Sequence, residues 1–308
     1  MRWRRKRGEP EREPYRATAT PSPGEERPEA SPAGLEGAAA AGDPDAMYDL
    51  GVLLADHGDT EGARGCYRRA AEAGHLGAMG DLGCLLLTEQ DVEGAGAWFR
   101  RAAEAGDPGA MSNLGAVLAD RGDTEEAHAW WLRAATQGHS TAMCNLGVLL
   151  ARQGDSAGAR LWYGQAADAG NTDAMHHLGS LLEEQGDAEA AETWYERAGL
   201  TGHPVALFKR GVLRYQGGDA DGARVCWELA ADRGDAPSMF NLGALDNEQG
   251  DAEGAIAWFV RAAEAGGTDA MRLLGSLLED EGDAEGARFW YERAEEAGDP
   301  GHEQPGEG

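Results

Sequence analysis

Lysine is nearly missing from this 308-residue chain. Of its 27 basic residues only Lys6 and Lys209 are lysines, and the rest are arginine. Acidic residues number 55, so the formal net charge is −28. A phosphate backbone demands cationic neutralisation, so the bulk of the chain is not expected to bind nucleic acid. Such acidity suits solubility, or a basic partner. Cysteine is scarce as well. Cys66, Cys84, Cys144 and Cys226 stand at no metal-ligand spacing, which argues against a zinc module and fits a reducing cytoplasm. No apolar run is long enough for a membrane-spanning helix, so no membrane insertion is expected. No glycine-rich phosphate loop precedes a lysine, and no nucleophile–base pair stands out. The expectation is therefore a non-enzyme without cofactor or metal.

What the chain does have is a beat. Met47, Met79, Met111, Met143, Met175, Met239 and Met271 fall on a 32-residue period, missed once at Leu207. A fixed period of this size means stacked supersecondary units. Leu50, Leu82, Leu114, Leu146, Leu178, Leu242 and Leu274 form a second column, broken by Arg210. The column beside it is glycine throughout, from Gly51 to Gly275, and another is alanine throughout, from Ala63 to Ala287. Aromatic pairs such as Trp162-Tyr163, Trp258-Phe259 and Trp290-Tyr291 follow the alanine.

Spacing turns the columns into helices. Met47, Leu50, Gly51 and Leu54 lie on one helical face, and Ala63, Tyr67, Ala70 and Ala71 on another. Gly58-Asp59 between them reads as a stop and a start, because glycine takes the left-handed backbone that ends a helix and Asp caps the next. Several first helices open with Pro in the first turn: Asp43-Pro44, Asp107-Pro108 and His203-Pro204. Each unit is thus a hairpin of two short amphipathic helices. Gly51 and Ala63 lack bulk, which lets the two approach closely. One hairpin cannot bury both its faces, so neighbours must stack.

These columns resemble the tetratricopeptide repeat in order and spacing. The stretch Ala70-Ala71-Glu72-Ala73-Gly74, then Ala78 and Leu82-Gly83, is more similar to the Sel-one-like repeat, as are the Trp-Tyr pairs. The resemblance implies an all-α fold: a right-handed α-solenoid of about eight 32-residue helical hairpins. Repeats begin near residues 47, 79, 111, 143, 175, 207, 239 and 271, and the array spans 43–298. Residues 1–30 begin with Arg2, Arg4, Arg5, Lys6 and Arg7 and are rich in proline; their low apolarity predicts disorder. Residues 31–42 are expected to form a capping helix, and 299–308 a disordered tail.

The architecture absorbs most candidate chemistry. Trp residues occupy the aromatic columns of the second helices, where core is the expected role, and Glu279-Asp280-Glu281-Gly282-Asp283 is the turn found in every unit. Cys144 and His176 share a column one unit apart, but nothing supplies two further metal ligands. Two features stand apart. The column two after Met reads Asp49, Asp81, Asn113, Asn145, His177, Lys209, Asn241 and Leu273. A carboxamide can both donate to and accept from an extended peptide backbone, so Asn113, Asn145 and Asn241 are candidates for peptide binding; small polar residues on an exposed face are the equal alternative. The second feature is unit six, where Arg210 and Arg214 replace leucines beside Lys209. Either Arg214 pairs with Asp246 of the next unit to repair a packing defect, or the three cations form a notch for a peptide carboxylate. The resemblance implies a non-catalytic interaction scaffold or adaptor that binds a protein or peptide segment in the concave face lined by the first helices. An accessory subunit tethered to a catalytic partner, or an enzyme with a site near His176 and His177, are the alternatives.

Overall fold

The computed structural model describes residues 31–280 and 282–298. The expected disorder of 1–30 and 299–308 lies outside the described residues, as does Glu281. Among the described residues there are seventeen α-helices and no strand.

The chain divides into two compact units that meet in sequence at Gln153 and Gly154. The first contains α1 (Pro32–Ala40), α2 (Pro44–Asp56), α3 (Thr60–Glu72), α4 (Leu76–Thr88), α5 (Val92–Glu104), α6 (Pro108–Arg121), α7 (Thr124–Thr136) and α8 (Ser140–Arg152). The second contains α9 (Ser156–Asp168), α10 (Thr172–Glu184), α11 (Ala188–Leu200), α12 (Pro204–Gln216), α13 (Ala220–Ala231), α14 (Ala236–Glu248), α15 (Ala252–Glu264), α16 (Thr268–Asp280) and α17 (Ala284–Gly298). In each unit every helix packs on the next in the chain. Each unit is therefore a stack in which even-numbered helices are the first members of hairpins and odd-numbered helices the second. α1, ahead of the first hairpin, packs on α2 and takes a hydrogen bond at its Ala39 carbonyl from Arg69 of α3, at 2.7 Å.

The glycine and aromatic columns explain each other. A methyl group at Gly51 would sit 2.7 Å from the Tyr67 ring, and at Gly179 it would sit 2.7 Å from the Tyr195 ring. The hydrogen at these positions is the seat into which the partner helix inserts its aromatic. Fully buried Leu82, Leu146 and Leu242 fill the space alongside, each worth roughly 1.5–3 kcal/mol relative to exposure. The stop-and-start turn takes the expected form: Gly58 has φ 82°, the Asp59 N–H returns to the Leu54 carbonyl at 2.9 Å, and the Asp59 carboxylate accepts the Gly62 N–H at 2.9 Å. Asp123 departs from this pattern and makes no side-chain cap bond. The residue that would donate to it is Glu126, a second carboxylate.

The first helices are capped differently. Asp43, Asp107 and Asp235 accept backbone N–H groups through carboxylates, while His75, His139 and His203 accept them through Nδ1 at 3.0, 3.3 and 3.1 Å. Asp and His thus alternate along the chain, with Asn171 standing where the alternation would put Asp. Histidine is an unusual cap. The signal was there, since these histidines occupy the column of Asp43 and Asp107.

Candidate functional site

In the first stack, one half-buried edge of the first helices carries Tyr48, Asp81, Asn113 and Asn145. The Tyr48 hydroxyl donates to Asp81 at 2.9 Å and so ties α2 to α4. The ring of His75 stacks on Tyr48 at 4.4 Å, with its Nε2 3.6 Å from Asp45. Burial pushes the Asp81 carboxyl up to about 6, against the opposing pull of the Tyr48 hydrogen bond. Asn113 and Asn145 are half-buried, one step along their helices from buried Leu114 and Leu146. The Asn113 Nδ2 is shielded from solvent and has no hydrogen-bond partner. An amide donor in that state costs stability.

In the second stack the same edge is built on α10, α12 and α14, and it holds His177, Lys209 and Asn241, all half-buried. Three histidines gather here. His176 stacks on His203 at 5.1 Å and meets His177 at 5.3 Å, while His177 stacks on Tyr163 of α9 at 5.3 Å. His203 Nδ1 is committed to the Ala206 N–H, which leaves Nε2 to donate towards Asp173, 3.3 Å away. Burial, then the neighbouring histidines and Lys209, drive the His176 imidazole down to about 3. Its Nε2 is enclosed and has no partner. An imidazole so reluctant to take a proton is a poor general base. Tyr195, 6.0 Å away, donates its hydroxyl to Glu183 at 2.7 Å, and burial raises its pKa strongly. Among the described residues no group of three or more His, Cys, Asp or Glu could hold a metal ion.

The cations of unit six are neutralised in a way the sequence did not indicate. Lys209 lies 3.3 Å from Glu183. Arg210 reaches Glu196 at 2.7 Å and Glu192 at 3.6 Å. Arg214 binds Glu192 at 2.8 Å and Asp219 at 3.2 Å. The expected Arg214–Asp246 pair does not form: Asp246 is bound by Arg224 of α13 at 2.5 Å. Side chains of the Leu54 column, where Arg214 and Asp246 stand, lie between two second helices: Arg214 of α12 pairs with Glu192 of α11 and lies beside Gly222 of α13, while Asp246 of α14 pairs with Arg224 of α13 and lies beside Gly254 of α15. The sign of the pair reverses from one layer to the next. Each of the three cations has a carboxylate beside it, so unit six presents ion pairs and not a net positive notch.

Tetratricopeptide repeat family models match residues 27–74 and 48–111, 108–133 and 140–165, and 172–198. The Sel1 repeat model matches 204–235, 236–267 and 268–299. No curated protein matches the chain. Among solved structures, it is similar to c5321, a protective antigen of uropathogenic Escherichia coli with an SLR fold, at 28% identity and a TM-score of 0.61. That match covers 87% of this chain but 64% of the antigen, so this chain spans under two thirds of that relative. It is also similar to a Sel1 repeat protein from Oxalobacter formigenes, at 25% identity and a TM-score of 0.60, over 86% of each chain. A tetratricopeptide repeat protein from Parabacteroides merdae shares the fold at 14% identity and a TM-score of 0.50, over 82% of this chain and 98% of its own.

Proposed function

Since this chain belongs to the Sel1-like and tetratricopeptide-like repeat proteins, which are in general protein-interaction scaffolds, we propose that it is a non-catalytic adaptor. It holds an extended protein or peptide segment against the half-buried polar edge of its first helices. The observation that carries this reading is that Asn145 and Asn241 stand half-buried in one column of those helices. A carboxamide there can donate to a backbone carbonyl of a bound segment and accept a backbone N–H in return. Asn113 stands in the same column. Among the described residues, no helix is long and apolar enough to cross a membrane. Cysteine is scarce, and Cys66 and Cys226 are buried thiols, which favours a reducing cytoplasm as the place of action.

The test is affinity purification with mass spectrometry on two versions of the chain, the native one and one carrying Asn113→Ala, Asn145→Ala and Asn241→Ala. Partners of the native chain should be lost from the variant while its helical circular dichroism and melting temperature hold. Recovery of the same partners at the same level would sink the first-helix reading.

A further inference from the structure

At the histidine caps of α4, α8 and α12 the Nδ1 lone pair accepts a backbone N–H: Ala78 onto His75, Ala142 onto His139 and Ala206 onto His203. Accepting at Nδ1 requires the neutral ring with its proton on Nε2. A second proton would turn Nδ1 into a donor that faces another donor. It would also place a cation at the positive end of a helix. The three caps are not equally placed to survive that change. His75 rests on the Tyr48 ring at 4.4 Å, with Asp45 3.6 Å from its Nε2. His203 rests on the His176 ring at 5.1 Å, with Asp173 3.3 Å from its Nε2. Ring and carboxylate come from the same two columns of the preceding first helix. Ahead of His139 those columns hold Ser112 and Gly109, which offer neither. The charge that bears on the His139 ring is the Asp107 carboxylate at the head of α6, itself engaged by the Ala110 N–H at 2.6 Å. α7, which packs against α8, carries Arg133 in its last turn, with the guanidinium over the Trp130 ring at 4.4 Å. Burial holds the His139 imidazole below its usual value, against the pull of Asp107.

We propose that His139 is a proton-operated latch on α8, shut at neutral pH and released in mild acid. The latch sits where the third hairpin passes to the fourth, on the last helix before the chain enters its second compact unit. An opened first turn returns His139 to the ordinary histidine range, near 6.5. It then takes up a proton that the closed turn refuses. Opening therefore grows more frequent as the pH falls below about 6.5, by at most about tenfold per pH unit, and levels off once the closed ring also protonates. The latch depends on the cap alone, whatever the first-helix edge binds.

Amide hydrogen exchange on the full chain, followed by NMR, reads such opening at single residues. Ala142 is compared with Ala110, the equivalent amide of the Asp-capped α6, after correction for the intrinsic pH dependence of exchange. From about pH 7 to about pH 5 the protection of Ala142 relative to Ala110 should fall about threefold or more. His139→Asp copies the α6 cap; it should keep the native circular dichroism and abolish the fall. Ring nitrogen shifts of His139 at neutral pH should report the Nε2–H tautomer. Relative protection that stays flat in the native chain would overturn the proposal. So would an equal fall in His139→Asp, which would place the sensor elsewhere, or an Nδ1–H tautomer, which could not accept the Ala142 N–H.

Discussion

Gln90 is held in a backbone conformation that its seven column-mates leave to glycine. Its φ is 65°, and among the described residues it is the one non-glycine with positive φ. A β-carbon in the left-handed region costs roughly 1–2 kcal/mol, partly offset by the lower entropy of the unfolded chain. Gln90→Gly should therefore stabilise the protein by about 0.5–1 kcal/mol, read as a higher denaturation midpoint with an unchanged slope. Gly179→Ala should do the reverse. Its methyl group would press on Tyr195, which is completely buried and has nowhere to move. Overpacking of this kind costs about 1–3 kcal/mol. Sequence made this pairing of glycine with a ring half legible: the unbroken glycine column asked for close helices, but which side chain fills the space required coordinates. The histidine caps were missed for a different reason. Nδ1 mimics a carboxylate only in the neutral tautomer, so residue type alone does not announce the role.

Between elements, the ion pairs of α11 to α14 read as a set of addresses. Glu192 receives Arg214, Arg224 receives Asp246, and the reversal of sign makes the two junctions incompatible with each other. A double-mutant cycle on Arg214 and Glu192 should give a coupling of about 0.5–1 kcal/mol, because the pair is partly exposed. The same cycle on Arg214 and Asp246 should give a coupling near zero; an appreciable value there would contradict the observed partners. Which neighbour a charge faces depends on the tilt of its side chain off the helix, and a list of columns holds no such information. The histidine cluster between α10 and α12 adds a pH dependence. His176 titrates near 6.5 when unfolded and near 3 when folded. Between those values the unfolded chain binds a proton that the folded one refuses. Stability is therefore full above about pH 6.5 and falls with acid by up to ~1.4 kcal/mol per pH unit, levelling off once the folded group also protonates. His176→Leu should flatten this decline in urea midpoints taken from pH 6.5 to pH 4.

For the molecule as a whole, the charge of −28 is the dominant long-range term. Repulsion among exposed carboxylates opposes compaction and is screened over about 8–10 Å at physiological salt. Raising sodium chloride from low millimolar to about 0.3 M should lift the melting temperature, with potassium chloride giving the same curve. A fall in melting temperature would mean that the ion pairs outweigh the repulsion. The all-α repeat fold was legible, because its Gly51 and Ala63 columns recur in all eight units and the Met and Leu columns in seven of them. The candidate site was legible only by elimination: the columns marked Asn113, His177 and Lys209 as positions free to vary, but not that Glu183 would occupy Lys209.

The alternating caps also bear on how such a chain can change length. Deleting or inserting a single hairpin anywhere between Asp43 and His139 would set two acidic caps, or two imidazole caps, side by side. A change at the junction of the first two hairpins would also strip His75 of the Tyr48 ring on which it rests. A block of 64 residues, two hairpins with one cap of each kind, leaves every such neighbour in place. The smallest editable word of this tape is a pair of hairpins, and an engineer who wants a longer or shorter span should cut by that measure.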